Sequence, residues 1–391
     1  MDDLQLKALV DAQKDWIIGM RRKLHRIPED GFKEFKTQQA IMDALDAMGV
    51  PYESERTWVI ALIEGAYPGE TVAIRADMDA LPLTEPEDCP FRSEHEGMMH
   101  ACGHDAHVAM ALGAAKVLNR LREQLHGRVK FLFQPAEESI GGAEPMVKAG
   151  AMENPHVDRV YGLHVMPNLP VGKIETRMGT LNASTDTVKL TIRGKAGHGA
   201  YPEQGTDAIV CAAQVISAMQ SIVARNVSPL QSAVLTIGTI EGGKAQNIIC
   251  DEVRMRGTLR TANAELRAMM IQRITDVVYG IADGMGCSAE AEVIPGYAAL
   301  VNDDVEAARI KRVAGRLFGS ENVVEKPAPS MGGEDFSFFS DCAPGAFFHV
   351  GCVSPEWMPA PPLHSRDFRI DENCLTIGTL MHVALVLDTC H

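Results

Sequence analysis

The sequence lacks the features that mark membrane, disulfide-rich and nucleic-acid-binding proteins. It has no apolar run approaching the roughly 18 residues of a membrane span, and its N-terminus lacks the basic start and apolar core of a signal peptide. Its nine cysteines are odd in number, scattered and never arranged as CxxC, which favours free or metal-bound thiols in a reducing compartment. Positive charge is also scarce, with 37 basic against 52 acidic residues. We therefore expect a cytoplasmic protein that binds neither membranes nor nucleic acid.

Strand and helix patterns alternate through the first half of the chain. Amphipathic helices are predicted first, and apolar runs then predict three strands with a helix between the first two. This alternation is typical of an α/β fold, with a mixed, mostly parallel sheet and helices on both faces. The predicted helices span residues 3–26, 35–49 and 107–121, and the predicted strands span 71–77, 129–135 and 159–165.

From about residue 182 the pattern changes. Strand, helix, strand, strand, helix and strand follow one another up to residue 295, which is the order of a ferredoxin-like α+β domain. Beyond Pro295 and Gly296 the chain returns to a helix near 303–318, a strand at 345–351 and a final helix after Asp371. We therefore predict one domain built from residues 1–181 and 296–391, with a smaller domain, 182–295, inserted into it.

The segment MHACGHDAH (99–107) concentrates residues that bind metals. Cys102 and His104 are one residue apart and could face a single site, and thiolate with imidazole suits zinc or nickel better than magnesium. The alternative is a buried cysteine among surface histidines, with Asp105 as the N-cap of the following helix. The segment alone leaves both interpretations open.

Two glutamates follow the second predicted strand, in QPAEES (134–139). Paired glutamates are common on solvated surfaces, but ligands bind beyond the carboxyl ends of strands in α/β sheets. If Glu138 binds a metal, Glu137 beside it could act as a general base on a metal-bound water.

Two further histidines would complete a ligand set. His164 in YGLHV and His364 in PPLHS could equally be a satisfied core residue and an exposed loop residue. In combination with Cys102, His104 and Glu138 they make five ligands, too many for one catalytic zinc with three ligands and a water. Two divalent metals about 3.5–4 Å apart are the better interpretation.

Nine segments together resemble the zinc-dependent aminoacylase and carboxypeptidase-G-like metallopeptidases. The resemblance is to their branch of hippurate hydrolases, N-acyl amino acid amidohydrolases and auxin-conjugate hydrolases, and it covers nearly the whole chain. The segments are LHRIPEDGFKEFKT (24–37), IRADMDALP (74–82), MHACGHDAH, FQPAEES, GLHVMPNLPVG (162–172), GKAGHGAYPEQGTDAI (194–209), GTIEGGKAQNIICDEVRMRGTLRT (238–261), MGGEDFSFF (331–339) and PPLHS (361–365).

The resemblance assigns a role to each matching position. It makes Cys102, His104, Glu138, His164 and His364 the ligands of two metal ions per subunit, with zinc favoured and manganese, nickel or cobalt as alternatives. Glu137 is the implied general base. His198 would polarise the scissile carbonyl, and Asn247 and Arg260 would bind the substrate's carboxylate.

The resemblance also implies a homodimer. The inserted domain would act as a lid and dimerisation domain, and its His198 would reach the partner's metal site. One position departs from the wider family, whose carboxypeptidase branch usually has a ligating histidine where this chain has Asp77. We therefore expect Asp77 and Asp79 to orient ligands instead.

The predicted activity is hydrolysis of the amide bond of N-acyl amino acids to a carboxylic acid and a free amino acid. Acetyl, benzoyl and indoleacetyl groups are all admissible. The alternatives are a dipeptidase or aminopeptidase-like hydrolase of the same family, and a catalytically silent protein that binds small molecules.

Overall fold

A computed structural model describes residues 2–390. Its helices are α1 (Asp3–Asp11), α2 (Lys14–His25), α3 (Phe35–Met48), α4 (His104–Arg120), α5 (Ala143–Lys148), α6 (Ala208–Asn226), α7 (Ala264–Gly284), α8 (Asp304–Phe318), α9 (Ser337–Ser340) and α10 (Asn373–Thr389).

The strands form two main sheets and two short pairings. They are β1 (Tyr52–Glu55), β2 (Trp58–Glu64), β3 (Tyr67–Asp77), β4 (His126–Gln134), β5 (Arg159–Pro170), β6 (Ile174–Thr176), β7 (Gly179–Asn182), β8 (Asp186–Arg193), β9 (Gly197–His198), β10 (Ala233–Gly242), β11 (Ile248–Ile249), β12 (Glu252–Thr261), β13 (Ser288–Pro295), β14 (Leu300–Asn302), β15 (Val323–Glu325) and β16 (Gly345–Val353).

The first of two compact units contains the described residues up to Gly179, Val301–Pro327 and the described residues from Asp335 onward. Its eight-stranded sheet has the order β1-β2-β4-β3-β5-β16-β6-β15. The four central strands, β4, β3, β5 and β16, are parallel neighbours. Antiparallel pairs with β2 and β6 flank them. The predicted mixed, mostly parallel sheet is confirmed.

The central strands are apolar on both faces, as strands covered on both sides must be. β3 is buried from Thr71 to Asp77, and β16 is buried along its whole length. Helix α4 packs on this sheet and is itself almost wholly buried, as is most of α10. The sheet and these helices form a close-packed core that fixes the positions of the strand ends.

The second unit contains Thr180–Leu300 and Ala328–Glu334. Its antiparallel sheet has the order β10-β12-β8-β13, with α6 after β8 and α7 after β12. This is the predicted ferredoxin-like arrangement. Alternate residues of β8 and β12 are buried with the apolar faces of both helices in a separate core. The other face of these strands carries polar and charged side chains.

Helix α6 is unusually apolar for a helix with an exposed face. It has 19 residues, and an 18-residue stretch of it has a mean hydropathy of 1.5, which by length and composition alone is enough to cross a membrane. In the structure one face of α6 buries Cys211, Val215 and Met219 in the core of the second unit. Ile209 and Val210, near its start, are about half exposed. Thus α6 is a core helix that also presents apolar side chains at the surface.

The predicted helix over 3–26 is wrong in one respect, because it is divided into α1 and α2. The N–H of Gln13 bonds to the carbonyl of Val10, a spacing of three residues that tightens the last turn of α1. Neither glycine nor proline marks this break.

The predicted roles of the two domains stay predictions. They are metal-dependent catalysis for residues 1–181 and 296–391, and a lid and dimerisation role for residues 182–295.

Candidate metal centre

Polar side chains lie at the carboxyl ends of the central parallel strands. Asp77 ends β3 directly opposite Gln134, which ends β4. His164 lies near the middle of β5, beside His349 of β16. These ends share one edge of the sheet, where ligands bind in α/β folds.

Cys102 and His104 flank a glycine that no other residue could replace without strain. Gly103 has a φ of 96°, and a Cβ there would lie 2.3 Å from a methyl carbon of Val165. The turn that Gly103 forms leads directly into α4, which begins at His104. As a result Cys102 Sγ lies 3.2 Å from Nε2 of His164.

Glu138 and His364 lie in the same cluster. Glu138 Oε1 is 2.9 Å from His364 Nε2 and 4.0 Å from His104 Nε2. The N–H of His364 donates to the carbonyl of Ala101, which ties this late loop to the segment of Cys102. The structure thus gathers all five predicted ligands in one place. Ligand atoms lie within 4.8 Å of one another in the groups Cys102/His104/His164, Cys102/Glu138/His364 and His104/Glu137/Glu138.

Asp79 orients two members of this cluster. Nδ1 of His104 donates to Asp79 Oδ1 at 3.2 Å, and the N–H of Glu138 donates to Asp79 Oδ2 at 3.0 Å. With the imidazole fixed in this way, its other nitrogen, Nε2, lies 3.5 Å from Asp77 Oδ2 and 4.0 Å from Glu138 Oε1. A carboxylate behind a histidine is the usual support for a metal ligand.

Asp77 belongs to a buried network whose other members, His107, Arg75 and Asp335, sequence reasoning missed. Its Oδ1 accepts from Nδ1 of His107 at 2.6 Å, and Nε2 of His107 accepts from the backbone N–H of Val165. Arg75 donates to Asp77 at 2.8 Å and to Asp335 at 3.0 Å. A buried arginine inside an apolar strand was the available signal, because a buried charge needs a partner.

Nearby carboxylates and burial change the pKa values of His104 and Cys102. Burial lowers the pKa of His104, but Asp77 and Asp79 outweigh it and raise that pKa to about 10. Burial, and then the charges of Glu138 and Glu137, raise the pKa of the Cys102 thiol well above its usual range. A divalent cation would lower both pKa values, since it binds the thiolate and the unprotonated imidazole.

The residues fit a metal ion. His104 Nε2 is buried and forms no hydrogen bond with any described residue, although buried polar atoms normally have such partners. The donor set of one sulfur, imidazole nitrogens and a carboxylate matches zinc and other borderline-soft divalent ions.

The other three predicted site residues lie in the second unit. His198 is exposed on β9, which pairs with β11. The N–H of Gly199 donates to the carbonyl of Asn247 at 2.9 Å, so His198 and Asn247 are neighbours in space. Arg260 lies on β12, on the face away from the helices. The functions of all three stay predictions.

Asp105 differs from its expected place. The N-cap residue of α4 is Gly103, and the helix begins before Asp105, so the alternative in which Asp105 caps this helix is wrong. The Asp105 carboxylate instead accepts a hydrogen bond from His25 Nδ1 at 2.8 Å and forms an ion pair with Arg21, whose Nε also lies 2.8 Å away. Asp105 therefore binds side chains of α2 instead of capping α4.

The chain is similar to known proteins over nearly its whole length. The profile of Peptidase family M20/M25/M40 matches residues 73–388. The chain is 37% identical to Thermostable carboxypeptidase 1 of Saccharolobus solfataricus, with 98% of each chain covered. It is 39% identical to the N-acetylcysteine deacetylase of Bacillus subtilis, with 93% of this chain and 94% of the relative covered.

One similar solved structure is described as a dinuclear metal enzyme. The crystal structure of the YXEP protein of Bacillus subtilis, described as a dinuclear metal binding peptidase from the M20 family, has a TM-score of 0.86. It is 35% identical and covers 97% of this chain and 99% of its own.

Proposed function

The chain belongs to peptidase family M20/M25/M40, and on that premise we propose that it hydrolyses the amide bond of N-acyl amino acids. It is a metal-dependent hydrolase of amide bonds. The relative named N-acetylcysteine deacetylase supports an N-acyl amino acid as the substrate. The products would be a carboxylic acid and a free amino acid.

The observation that carries the proposal is the cluster at the sheet edge. Cys102, His104, Glu138, His164 and His364 would hold two divalent ions, for which we propose zinc. Their ligand atoms lie within a few ångströms of one another, and Asp79 already orients His104. When bound, the ions lower the pKa of water and stabilise negative charge on the carbonyl oxygen.

Glu137 is the proposed general base. Its carboxylate lies within 4.8 Å of the ligand atoms of His104 and Glu138. It would take a proton from the attacking water and then give that proton to the leaving amine nitrogen, so that one side chain serves both steps. Its neighbour Glu138 would bind metal, which keeps the two adjacent glutamates in different roles.

The second unit would supply the groups that recognise the rest of the substrate. We propose that His198 stabilises the developing oxyanion and that Asn247 and Arg260 bind the carboxylate. Arg256 and Arg260 lie on one face of β12, opposite the face that the helices cover. This local positive charge is what an anionic substrate needs on a chain with a net charge of −15.

We further propose a homodimer formed through the second unit. Strand β10 is an edge strand and Ile240 on it is 53% exposed, while Ile209 and Val210 of α6 are also exposed. An open edge beside apolar side chains is suited to pair with a second copy. In such a dimer His198 would serve the partner's metal centre. The nine free thiols support a cytoplasmic location.

Purified protein assayed on N-acetyl amino acids, N-benzoyl amino acids and dipeptides tests the proposal. N-acyl amino acids should be hydrolysed fastest, and a chelator should abolish turnover. The relative named carboxypeptidase favours a second candidate, cleavage of peptides. Faster turnover of dipeptides would establish that candidate, and metal binding without any hydrolysis would indicate a silent binding protein.

A further inference from the structure

A second group of metal-binding side chains lies in the first unit, outside the cluster of Cys102, His104 and Glu138. Ligand atoms of His25, Glu85 and Cys89 lie within 4.8 Å of one another. His25 Nε2 is 2.9 Å from Glu85 Oε1, and the Cys89 thiol completes the group.

The far side of the imidazole is already fixed. Nδ1 of His25 donates to Asp105 Oδ2 at 2.8 Å, and Asp105 is held in turn by Arg21 Nε at 2.8 Å. Such a carboxylate behind a histidine selects the tautomer whose other nitrogen, Nε2, is available to a metal. Nε2 is the atom that faces Glu85 and Cys89.

The buried charge of this group can be balanced in two ways. Asp105, Glu85 and Arg21 are all at least nine-tenths buried, and with a neutral His25 they carry one uncompensated negative charge. Buried carboxylates require compensation. That compensation comes either from a second proton on His25 or from a metal ion. Cys89 favours the metal, because a thiol that adds a thiolate to the group matches zinc-like ions.

A cavity gives this group access and an open position. About 250 Å³ of space adjoins His25, Glu85 and Cys89, and its wall also includes Phe91 and Phe368. A zinc ion held by three protein ligands keeps its fourth position for water or another small ligand. The cavity has room for such a molecule.

We propose that His25, Glu85 and Cys89 form a binding site for one divalent ion of the zinc class, in addition to the two ions of the catalytic cluster. The ion would fasten the loop that carries Glu85 and Cys89 to helix α2. Because Asp105 directly follows His104 in the chain, it would also stiffen the support of the catalytic turn.

The amount of zinc bound per chain tests the proposal directly, and this measurement does not depend on catalysis. The holoenzyme is equilibrated with a zinc-buffered solution, separated from free metal, and analysed for zinc per chain. The variant Cys89→Ser should hold one zinc equivalent less than the parent. Cys342→Ser, which changes an exposed thiol, is the matched control and should hold as much as the parent. Glu85→Gln gives a second test should Cys89→Ser fail to fold.

A cobalt spectrum identifies the ligand. In a Cys102→Ala background, cobalt should still give a thiolate-to-metal absorption band in the near ultraviolet, and adding Cys89→Ser should remove it. Equal zinc content in the parent, Cys89→Ser and Glu85→Gln, with no band in the Cys102→Ala protein, would overturn the proposal. The cluster would then be a protonated His25 between two carboxylates.

Discussion

His364 Nε2 lies 2.9 Å from Oε1 of Glu138, although Glu138 precedes the second unit in the sequence and His364 follows it. The backbone N–H of His364 also bonds to Ala101, next to Cys102. The ligands are therefore brought together only by the complete fold of the first unit. Metal binding and folding must be linked, because ions that bind only the native chain stabilise it.

Replacing Glu137 by glutamine should keep both metals and lower the hydrolysis rate by ~10²–10⁴-fold, as expected on loss of a general base. The amide cannot take a proton from water. Turnover and metal content are measured on the same sample, with Glu144→Gln, an exposed glutamate of α5, as the control. Near-normal turnover with both metals bound would remove Glu137 from this role.

The Cys102→Ala variant should bind at least one metal more weakly, since the cluster loses an anionic ligand. Metal affinity is measured by competition with a coloured chelator. Cys352→Ala removes an equally buried thiol in β16 and should cost only stability. If both variants hold metal like the parent, Cys102 is a packing residue and the ligand set is wrong.

Arg260→Ala should raise KM for an N-acyl amino acid, because a charge-assisted hydrogen bond to a carboxylate contributes about 1.5–3 kcal/mol. The corresponding carboxamide lacks the charge and should lose much less. Arg256→Ala removes another arginine from the same face of β12. It shows whether the loss requires a direct contact of Arg260 with the carboxylate or only the positive charge of this face. Equal losses on acid and carboxamide would show that Arg260 does not bind the carboxylate.

Mixing two inactive variants tests the proposed dimer. Glu137→Gln and His198→Ala homodimers should both be nearly inactive. If His198 serves the partner's centre, a mixed dimer has one centre with both defects and one with neither, so its activity should recover toward half the parent value. The heterodimer is isolated with two affinity tags. Heterodimers that form but stay inactive would place His198 elsewhere.

Glu34 should make the metal-free chain less stable as pH rises. Burial raises its pKa from 4.5 to about 7, so the native state binds the proton more tightly than the unfolded state does. The destabilisation is absent below about pH 4.5, grows between the two values and is complete above about pH 7.

Glu34→Gln should remove that slope. The side-chain oxygen of the introduced glutamine can still accept from the N–H of Ala136, as Glu34 Oε1 does at 3.0 Å. At pH 8 the variant should be more stable than the parent by on the order of 2 kcal/mol, with no difference at pH 4.5. Urea unfolding of chelator-treated protein at both pH values measures this, and a gain that is equal at both would exclude the ionisation of Glu34 as its cause.

Much of the fold could be predicted because its signals are local. Each of the apolar runs that form β3, β4 and β5 lies within one short segment of sequence. The glycine that ends α3 follows it directly. The division between α1 and α2 was missed, since it depends on one backbone bond at Gln13 and carries no glycine or proline.

The candidate metal ligands could be identified from the sequence, but most of the buried residues that hold the site in place could not. Cys102 and His104 are conspicuous within one short segment. The bond from Arg75 to Asp335 joins residues far apart in the sequence, and no local pattern encodes such a pair. The same is true of His25, whose two carboxylate partners come from a loop and from helix α4.

Strand β16 lies between β5 and β6 in the sheet, yet it is made after the whole second unit. A nascent chain on the ribosome thus cannot complete the sheet until residues 345–353 emerge. Until then the edge of β5 is open, and an open apolar edge invites association with other chains. The second unit, whose four main strands are contiguous in synthesis, can close its own sheet first. Translation speed between β13 and β16, and chaperone capture during that interval, should therefore govern the yield of native protein.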